Sequence, residues 1–208
     1  MTSARQYCPV CRGRGHVENR KVCSACYGNG FLQGPGGFFS AEACAALGSD
    51  PVLPEFLQSA MEASSATAGN IQLFDSTRRT LYIATQRGFG DEFLQFFARV
   101  RHNDSACGAA MNKGSRVVVP DVRNDPIFKG KPSGEIVLNA GVLAVQSTPL
   151  LSSEGQFLGV MSTHYDQPGN LSQRDLQELD RVMQHYVSRI EESLRESARK
   201  EEKTARRA

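Results

Sequence analysis

Two copies of the motif Cys-x-x-Cys-x-Gly-x-Gly, one from Cys8 to Gly15 and one from Cys23 to Gly30, constrain the folding of this chain more than any other feature. Each Cys-x-x-Cys turn brings two sulfur atoms close enough to share a metal ion, and the residues between the copies allow the chain to double back. The sequence therefore predicts a tetrahedral site for Zn²⁺. The predicted ligands are Cys8, Cys11, Cys23 and Cys26.

The glycines of the two copies stand at the same offsets, as Gly13 and Gly15 and again as Gly28 and Gly30. Such positions suit a tight turn beneath a metal, where the backbone takes a positive φ or approaches closely. A unit this short cannot bury an adequate apolar core, so metal binding would supply most of its folding free energy, on the order of 10 kcal/mol. We expect it to be unfolded without metal.

Two other uses of paired cysteines remain open, a pair of disulfides and a redox Cys-x-x-Cys of thioredoxin type. The segment from Met1 to Tyr7 has no apolar stretch typical of a signal peptide, so we expect a reducing cytoplasm, where zinc is favoured. The Gly- and Arg-rich flanks do not match the strand and helix that surround a redox motif. We expect His16 to face solvent, because four cysteines complete the metal shell.

The repeated motif of residues 8 to 30 resembles the cysteine-rich zinc domain of DnaJ-type co-chaperones. That domain carries four copies and two metal sites, whereas this chain has two copies and no J-domain. The resemblance implies a zinc knuckle and a surface for a protein partner, without chaperone activity.

The chain divides into a small N-terminal unit and one ordinary domain. The sequence Gly34-Pro35-Gly36-Gly37 opposes helix and strand, so we place a zinc knuckle at 1–33, a linker at 34–50, a folded domain at 51–192 and a charged helical or disordered tail at 193–208. With 208 residues and 40% hydrophobic residues, the chain has room for such a core. A net charge of +2 does not indicate a dedicated nucleic-acid or membrane-surface protein.

The folded domain alternates between helix and strand patterns. An amphipathic helix follows Pro51, a β-hairpin joins 71–74 to 80–85, and two longer strands occupy 142–150 and 157–165 around a Gly155 turn. Short helices are predicted at 91–97 and 107–114, a strand at 116–119, and a loop with one or two short helices at 121–141. A capping pattern at Ser172 and Asp175 begins a long final helix. We expect an α+β fold whose antiparallel sheet has helices on one face.

Six segments carry a further resemblance, to the GAF family of small-molecule sensory domains, over roughly residues 51 to 192. They are Gly69–Leu73, Gln86–Phe89, Ala106–Gly108, Val118–Val122, Ala140–Leu150 and Gly159–His164. The resemblance implies an antiparallel sheet backed by the first and last helices, with a pocket under the central insertion. It also implies ligand sensing or signalling through a dimer.

Polar residues of the strands and the insertion would supply the few hydrogen bonds that a small-molecule pocket needs. The candidates are Gln72, Ser105, Cys107, Asp121, Gln146, Ser147, Thr148, Thr163 and His164. Strand alternation will send some of them to the other face of the sheet. The ligand is not identified by the sequence, because Asn112-Lys113 lacks the Phe and Asp-Glu partners of cyclic-nucleotide-binding GAF domains.

The stretch around Cys107 also resembles free methionine-(R)-sulfoxide reductases, which are GAF-fold enzymes. This resemblance implies an alternative, a thiol enzyme that uses Cys107, whose place at the head of a helix would lower the thiol pKa. The reductases' nucleophile is implied just before a segment like 135–138, but residues 131–134 here contain no cysteine. We therefore expect no catalytic residue and a structural Cys107.

The leading hypothesis is a cytoplasmic, non-enzymatic sensory or regulatory protein. Its GAF-like domain would bind a small molecule, and its zinc knuckle would engage a protein partner. The GAF resemblance implies a homodimer through the first and last helices of the domain. The apolar stripe of the final helix, from Leu176 to Leu194, is compatible with such a dimer, and packing on the chain's own sheet explains it equally well. Nucleic-acid binding by the basic residues of the knuckle is a third hypothesis, with less support from the charge.

Overall fold

The computed structural model describes residues 6–7, 31–33, 51–75, 78–101, 103–153, 155, 157–169 and 171–205. The predicted zinc ligands, the other residues of both motifs and the linker at 34–50 lie outside these ranges.

Two short strands flank the cysteine motifs in sequence. Strand β1 (Gln6–Tyr7) pairs antiparallel with β2 (Phe31–Gln33), with Gln6 opposite Gln33 and Tyr7 opposite Phe31. The chain on either side of the two motifs is therefore joined by backbone pairing.

The rest of the described chain forms one antiparallel sheet with helices around it. Its elements are α1 (Val52–Ser64), β3 (Ala68–Asp75), β4 (Thr80–Arg87), α2 (Asp91–Phe96), β5 (Arg99–Val100), α3 (Ala106–Lys113), β6 (Val117–Val119), α4 (Pro132–Asn139), β7 (Ala144–Leu151), β8 (Phe157–Tyr165) and α5 (Gln173–Ala205). The six strands lie in the order β5-β4-β3-β8-β7-β6, and every neighbouring pair is antiparallel. The predicted α+β class and the predicted hairpins are confirmed.

Helices α1 and α5 cover one face of the sheet. Ile71 and Leu73 of β3 and Met161 of β8 point to this face and are fully buried with the apolar residues of the two helices. The helices also contact each other, since the ring of Phe56 stacks on Tyr186 at 5.2 Å between centroids. The first and last helices of the domain therefore back the sheet, as predicted.

The predicted capping signals are present at two helices. Asp175 N–H donates to the Ser172 hydroxyl at 3.1 Å, and that hydroxyl donates to the Asp175 carboxylate at 2.7 Å, which begins α5. Gly114 ends α3 in the left-handed region at φ 64°. Helix α5 continues to Ala205, so it includes most of the segment expected to be a tail.

The opposite face of the sheet is also covered, which corrects the prediction of helices on one face only. Phe74, Val145 and Val160 point to this second face and are buried against residues of α2, α3 and α4. The reason is that β3, β7 and β8 direct apolar side chains to both faces of the sheet, so neither face can be left in water.

Gly159 allows β8 to approach β3 closely. It stands opposite Leu73, and a Cβ atom at this position would lie 2.1 Å from the backbone oxygen of Gln72. No side chain fits in that space unless the two central strands separate. Gly90, which precedes α2 with φ −88°, has nothing within 4 Å of the equivalent position.

We expect Gly159→Ala to lower the free energy of unfolding by about 3 kcal/mol, because the added methyl group must displace backbone in the sheet centre. Gly90→Ala is the matched control and should cost less than about 1 kcal/mol, the cost of a poorer helix N-cap. Urea denaturation of both variants measures the difference. Equal effects would show that the β3–β8 pairing is looser than described.

Candidate functional site

A small cavity of about 20 Å³ lies between the centre of the sheet and the helices α2, α3 and α4. This space holds about one water molecule. Its apolar walls are formed by Phe93, Phe97, Phe128, Val137 and Val145. A larger molecule enters only if part of this covering layer moves.

The floor of the cavity is polar and comes from the three central strands. The strand register places Asn70 opposite Ser162 and Ser162 opposite Ser147, so the three side chains form a row across β3, β8 and β7. Gln72 lies two residues after Asn70 on β3, and His164 lies two residues after Ser162 on β8, so both face the same side as this row. The hydroxyls of Ser147 and Ser162 bond to each other at 2.7 Å.

Three buried polar atoms on this floor have no hydrogen-bond partner: Asn70 Oδ1, Gln72 Oε1 and His164 Nδ1. The side-chain amide of Gln72 donates to the Phe97 carbonyl at 3.4 Å, so its oxygen alone is unpaired. An unsatisfied buried polar group costs about 1 to 3 kcal/mol, and native proteins keep few of them. Their meeting at one cavity indicates a place where a partner with hydrogen-bond donors can bind.

His164 is neutral at physiological pH. The residue is 4% exposed, and burial lowers the pKa of its imidazole to about 3, although a backbone hydrogen bond with Ala68 acts in the opposite direction. The ring nitrogen Nδ1 is buried and has no hydrogen-bond partner within the protein, so in the neutral imidazole it can accept a hydrogen bond from a bound molecule.

Aromatic side chains cover His164. The rings of Phe89 and Phe93 stack at 3.7 Å between centroids, and both meet the imidazole edge-on, at 4.9 and 5.9 Å. Phe97 extends this layer, with its centroid 4.6 Å from that of Phe93. The six-residue helix α2 positions Phe93, so it forms the cover of the cavity.

Cys107 lies at the start of α3, beside the N-cap residue Ser105, whose hydroxyl accepts from Gly108 N–H. The Ser105 oxygen is 3.2 Å from Cys107 Sγ. Burial raises the pKa of the thiol, and the hydrogen bonds from Ser105 and the backbone of Gly108 only partly offset this effect. The thiol is thus protonated at neutral pH, whereas attack requires a thiolate.

The structure gathers some of the predicted site residues at this cavity and places others elsewhere. Those that line it are Gln72, Ser105, Cys107, Ser147 and His164. Asp121 belongs to the loop after β6, where it bonds Arg123 at 2.8 Å. That bond is the main reason why the pKa of Asp121 falls to about 2.

Gln146, Thr148 and Thr163 belong to the opposite face of the sheet and are hydrogen-bonded there. Thr163 donates to Gln146 Oε1 at 3.2 Å, and Gln146 Nε2 donates to Thr148. Arg116 donates to Thr148 at 2.9 Å and pairs with Asp180 of α5. Gln146 also lines an open cleft of about 270 Å³ on this side, but its polar atoms are already bonded within the protein. These residues connect the sheet to α5.

Asn70 and Ser162 were not among the predicted residues, although both line the cavity. Strand alternation predicts both, because Asn70 lies two positions from Gln72 and Ser162 lies two positions from His164, and residues two apart on a strand face the same side.

The family of the chain follows from its sequence. A family model described as GAF domain matches residues 46–191, which is more than half of the chain. The chain therefore belongs to the GAF domain family. No curated protein sequence matches it.

Solved structures share this fold. A domain of a two-component sensor histidine kinase protein from Sinorhizobium meliloti 1021 aligns with a TM-score of 0.60 at 19% identity, over 73% of this chain and 96% of that one. The free methionine-R-sulfoxide reductase from Neisseria meningitidis, in complex with its substrate, aligns with a TM-score of 0.55 at 20% identity, over 74% and 87%. At these identities the similarity establishes the fold alone.

The described ranges contain neither a membrane-spanning helix nor a cluster of metal-ligating side chains. None of their helices combines the length and the apolar character needed to cross a bilayer. They also contain no group of three or more His, Cys, Asp or Glu side chains placed to hold a metal, and the four predicted zinc ligands lie outside these ranges.

The buried neutral His164 predicts a pH dependence of stability. As the pH falls from 6.5 towards 3, the unfolded chain gains a proton that the folded protein does not, so the free energy of unfolding decreases. This residue contributes at most about 1.4 kcal/mol per pH unit. We expect His164→Gln to flatten this slope in urea denaturation over a pH series.

The matched control is His185→Gln, since the side chain of His185 is exposed on α5. It should keep the parent's slope. If His164→Gln kept that slope as well, the neutral buried state assigned to His164 would be wrong.

Proposed function

We propose that this protein is a non-enzymatic sensor whose GAF domain binds a small molecule in the cavity beneath α2. The observation that carries the proposal is the convergence of unpaired Asn70 Oδ1, Gln72 Oε1 and His164 Nδ1 on one cavity. A binding partner that donates hydrogen bonds would recover the free energy that these atoms cost.

Binding is favoured over catalysis by the protonation states in the cavity. The thiol of Cys107 has a raised pKa and His164 a lowered one, so both are uncharged at neutral pH. A nucleophilic thiol requires a lowered thiol pKa or a base strong enough to take its proton, whereas burial makes the thiol of Cys107 a weaker acid and the imidazole of His164 a weaker base. The thiol-reductase alternative therefore has less support than a sensor.

The arrangement of the central strands supports transmission of a ligand-induced shift from the cavity to helices α1 and α5. Ile71 stands between Asn70 and Gln72 on β3 and packs on the opposite face among residues of α1 and α5. A ligand that shifts Asn70 or Gln72 would also move Ile71. We propose that this movement changes a homodimer formed by α1 and α5, whose half-buried Val182 and Met183 keep part of an apolar stripe accessible.

We expect Asn70→Leu to raise the free energy of unfolding by about 1 kcal/mol, because leucine is close in shape to asparagine and removes an unpaired buried carbonyl. The same variant should lose the thermal shift that a metabolite library produces in the parent. Urea denaturation and a thermal-shift screen measure the two effects. A gain of stability together with a loss of binding is typical of a residue kept for ligand recognition.

Asn139→Leu makes the same replacement at an exposed position on α4 and serves as the control. It should bind as the parent does. The sensor proposal is overturned if no metabolite shifts the parent, or if Asn70→Leu binds as well as Asn139→Leu.

We further propose that Cys8, Cys11, Cys23 and Cys26 bind one Zn²⁺ and that this cytoplasmic protein contacts a protein partner through the resulting knuckle. The spacing of the two motifs supports this, and so does the pairing of β1 with β2. That pairing joins the residues on either side of the motifs, as a closed metal loop requires.

Native mass spectrometry should find one Zn²⁺ per chain in the parent and none after Cys11→Ser combined with Cys26→Ser, because two remaining thiolates cannot close a tetrahedral site. Cys44→Ser is the control, since this cysteine lies outside both motifs, and it should retain the metal. A parent free of metal, or a double variant that keeps it, contradicts the zinc site. The same spectra report the proposed dimer.

A further inference from the structure

We infer that the ligand of this cavity is a compact, uncharged molecule whose N–H or O–H groups donate to Asn70 Oδ1, Gln72 Oε1 and His164 Nδ1. The inference rests on the proposed function, because it names the chemical class bound at the same site. The three side chains are at least nine-tenths buried, with 3%, 0% and 4% of their surfaces exposed.

The first step concerns the direction of the hydrogen bonds. Gln72 uses its nitrogen to donate to the Phe97 carbonyl, so the oxygen is left for the cavity. The neutral imidazole of His164 can accept a hydrogen bond at Nδ1. Two carbonyl oxygens and one ring nitrogen are all acceptors, and a ligand must therefore bring the donors.

The second step concerns the donors that the cavity can offer, which include the side-chain N–H groups of Asn70 and a serine hydroxyl. Ser147 and Ser162 bond to each other, so one hydroxyl hydrogen is used between them and the other remains free to rotate. A ligand with two or more donors and one acceptor, such as a primary carboxamide or a urea group, matches this set. A ketone or an ether supplies no donor for the three acceptors.

The third step concerns charge. None of the described side chains that line the cavity carries a charge at neutral pH. Burying an ion without a partner costs several kcal/mol, so a carboxylate, an ammonium group or a zwitterion is disfavoured. The substrate of the Neisseria enzyme, a free amino acid sulfoxide, carries both charges and so falls outside this class.

Three small molecules of nearly equal shape separate these properties. Acetamide is neutral and has N–H donors, acetone is neutral without donors, and acetate is an anion without donors. We expect acetamide to shift the NMR signals of the Asn70 and Gln72 side-chain amides in the full-length protein. Acetone and acetate should bind at least about fivefold more weakly, because each lacks the donors for the buried acceptors.

Asn70→Leu should weaken acetamide binding, measured at the Gln72 amide and the His164 ring, whereas Asn139→Leu should leave it unchanged. If acetate or acetone binds at these residues as tightly as acetamide, the ligand class is wrong, although the cavity still binds small molecules. If none of the three probes shifts these signals, both the class and the proposed binding site are overturned.

Discussion

The pairing of β3 with β8 at the centre of the sheet is the interaction on which the rest of the domain depends. It places Ile71 opposite Met161 on the face covered by α1 and α5, and Asn70 opposite Ser162 on the face covered by α2. Because side chains alternate along a strand, a slip of one residue would move the row of Asn70, Ser162 and Ser147 into the apolar core beneath α1 and α5. Gly159 fixes the close approach of the two strands, since any side chain there would meet the Gln72 carbonyl. One register therefore determines both the apolar core and the composition of the cavity.

The capping signals and the strand periodicity were local and could be predicted from the sequence. Ser172 and Asp175 form their capping hydrogen bonds within one helical turn, and Gly114 ends α3 through its own backbone conformation. Such features depend on neighbours in the chain, so tertiary context does not change them. The antiparallel sheet followed for the same reason, because the two hairpins are encoded by adjacent segments.

The residues that line the cavity could be predicted from the sequence only in part. Gln146 and Ser147 are adjacent polar residues of β7 and both are fully buried, yet they face opposite sides of the sheet. When one face of a sheet is in water, the polar residues mark the outer side, but here both faces are buried and polarity does not distinguish them. The distinction comes from long-range partners: Gln146 bonds Thr163 and Thr148, whereas Ser147 bonds Ser162 beside the cavity. No local pattern encodes those contacts.

The same burial that leaves the cavity polar atoms unpaired also determines what chemistry they can perform. Burial lowers the pKa of His164 and raises that of Cys107, which removes charge from the two side chains most capable of reaction. An uncharged imidazole and a protonated thiol make a poor nucleophilic pair, but they form a surface that a neutral molecule can contact without a loss of ion solvation. Recognition by such a site depends on hydrogen-bond direction more than on charge. In the sensor proposed above, a donor-bearing ligand would satisfy acceptors that the protein leaves unpaired, and a ligand that binds one conformation better than another shifts the population towards it.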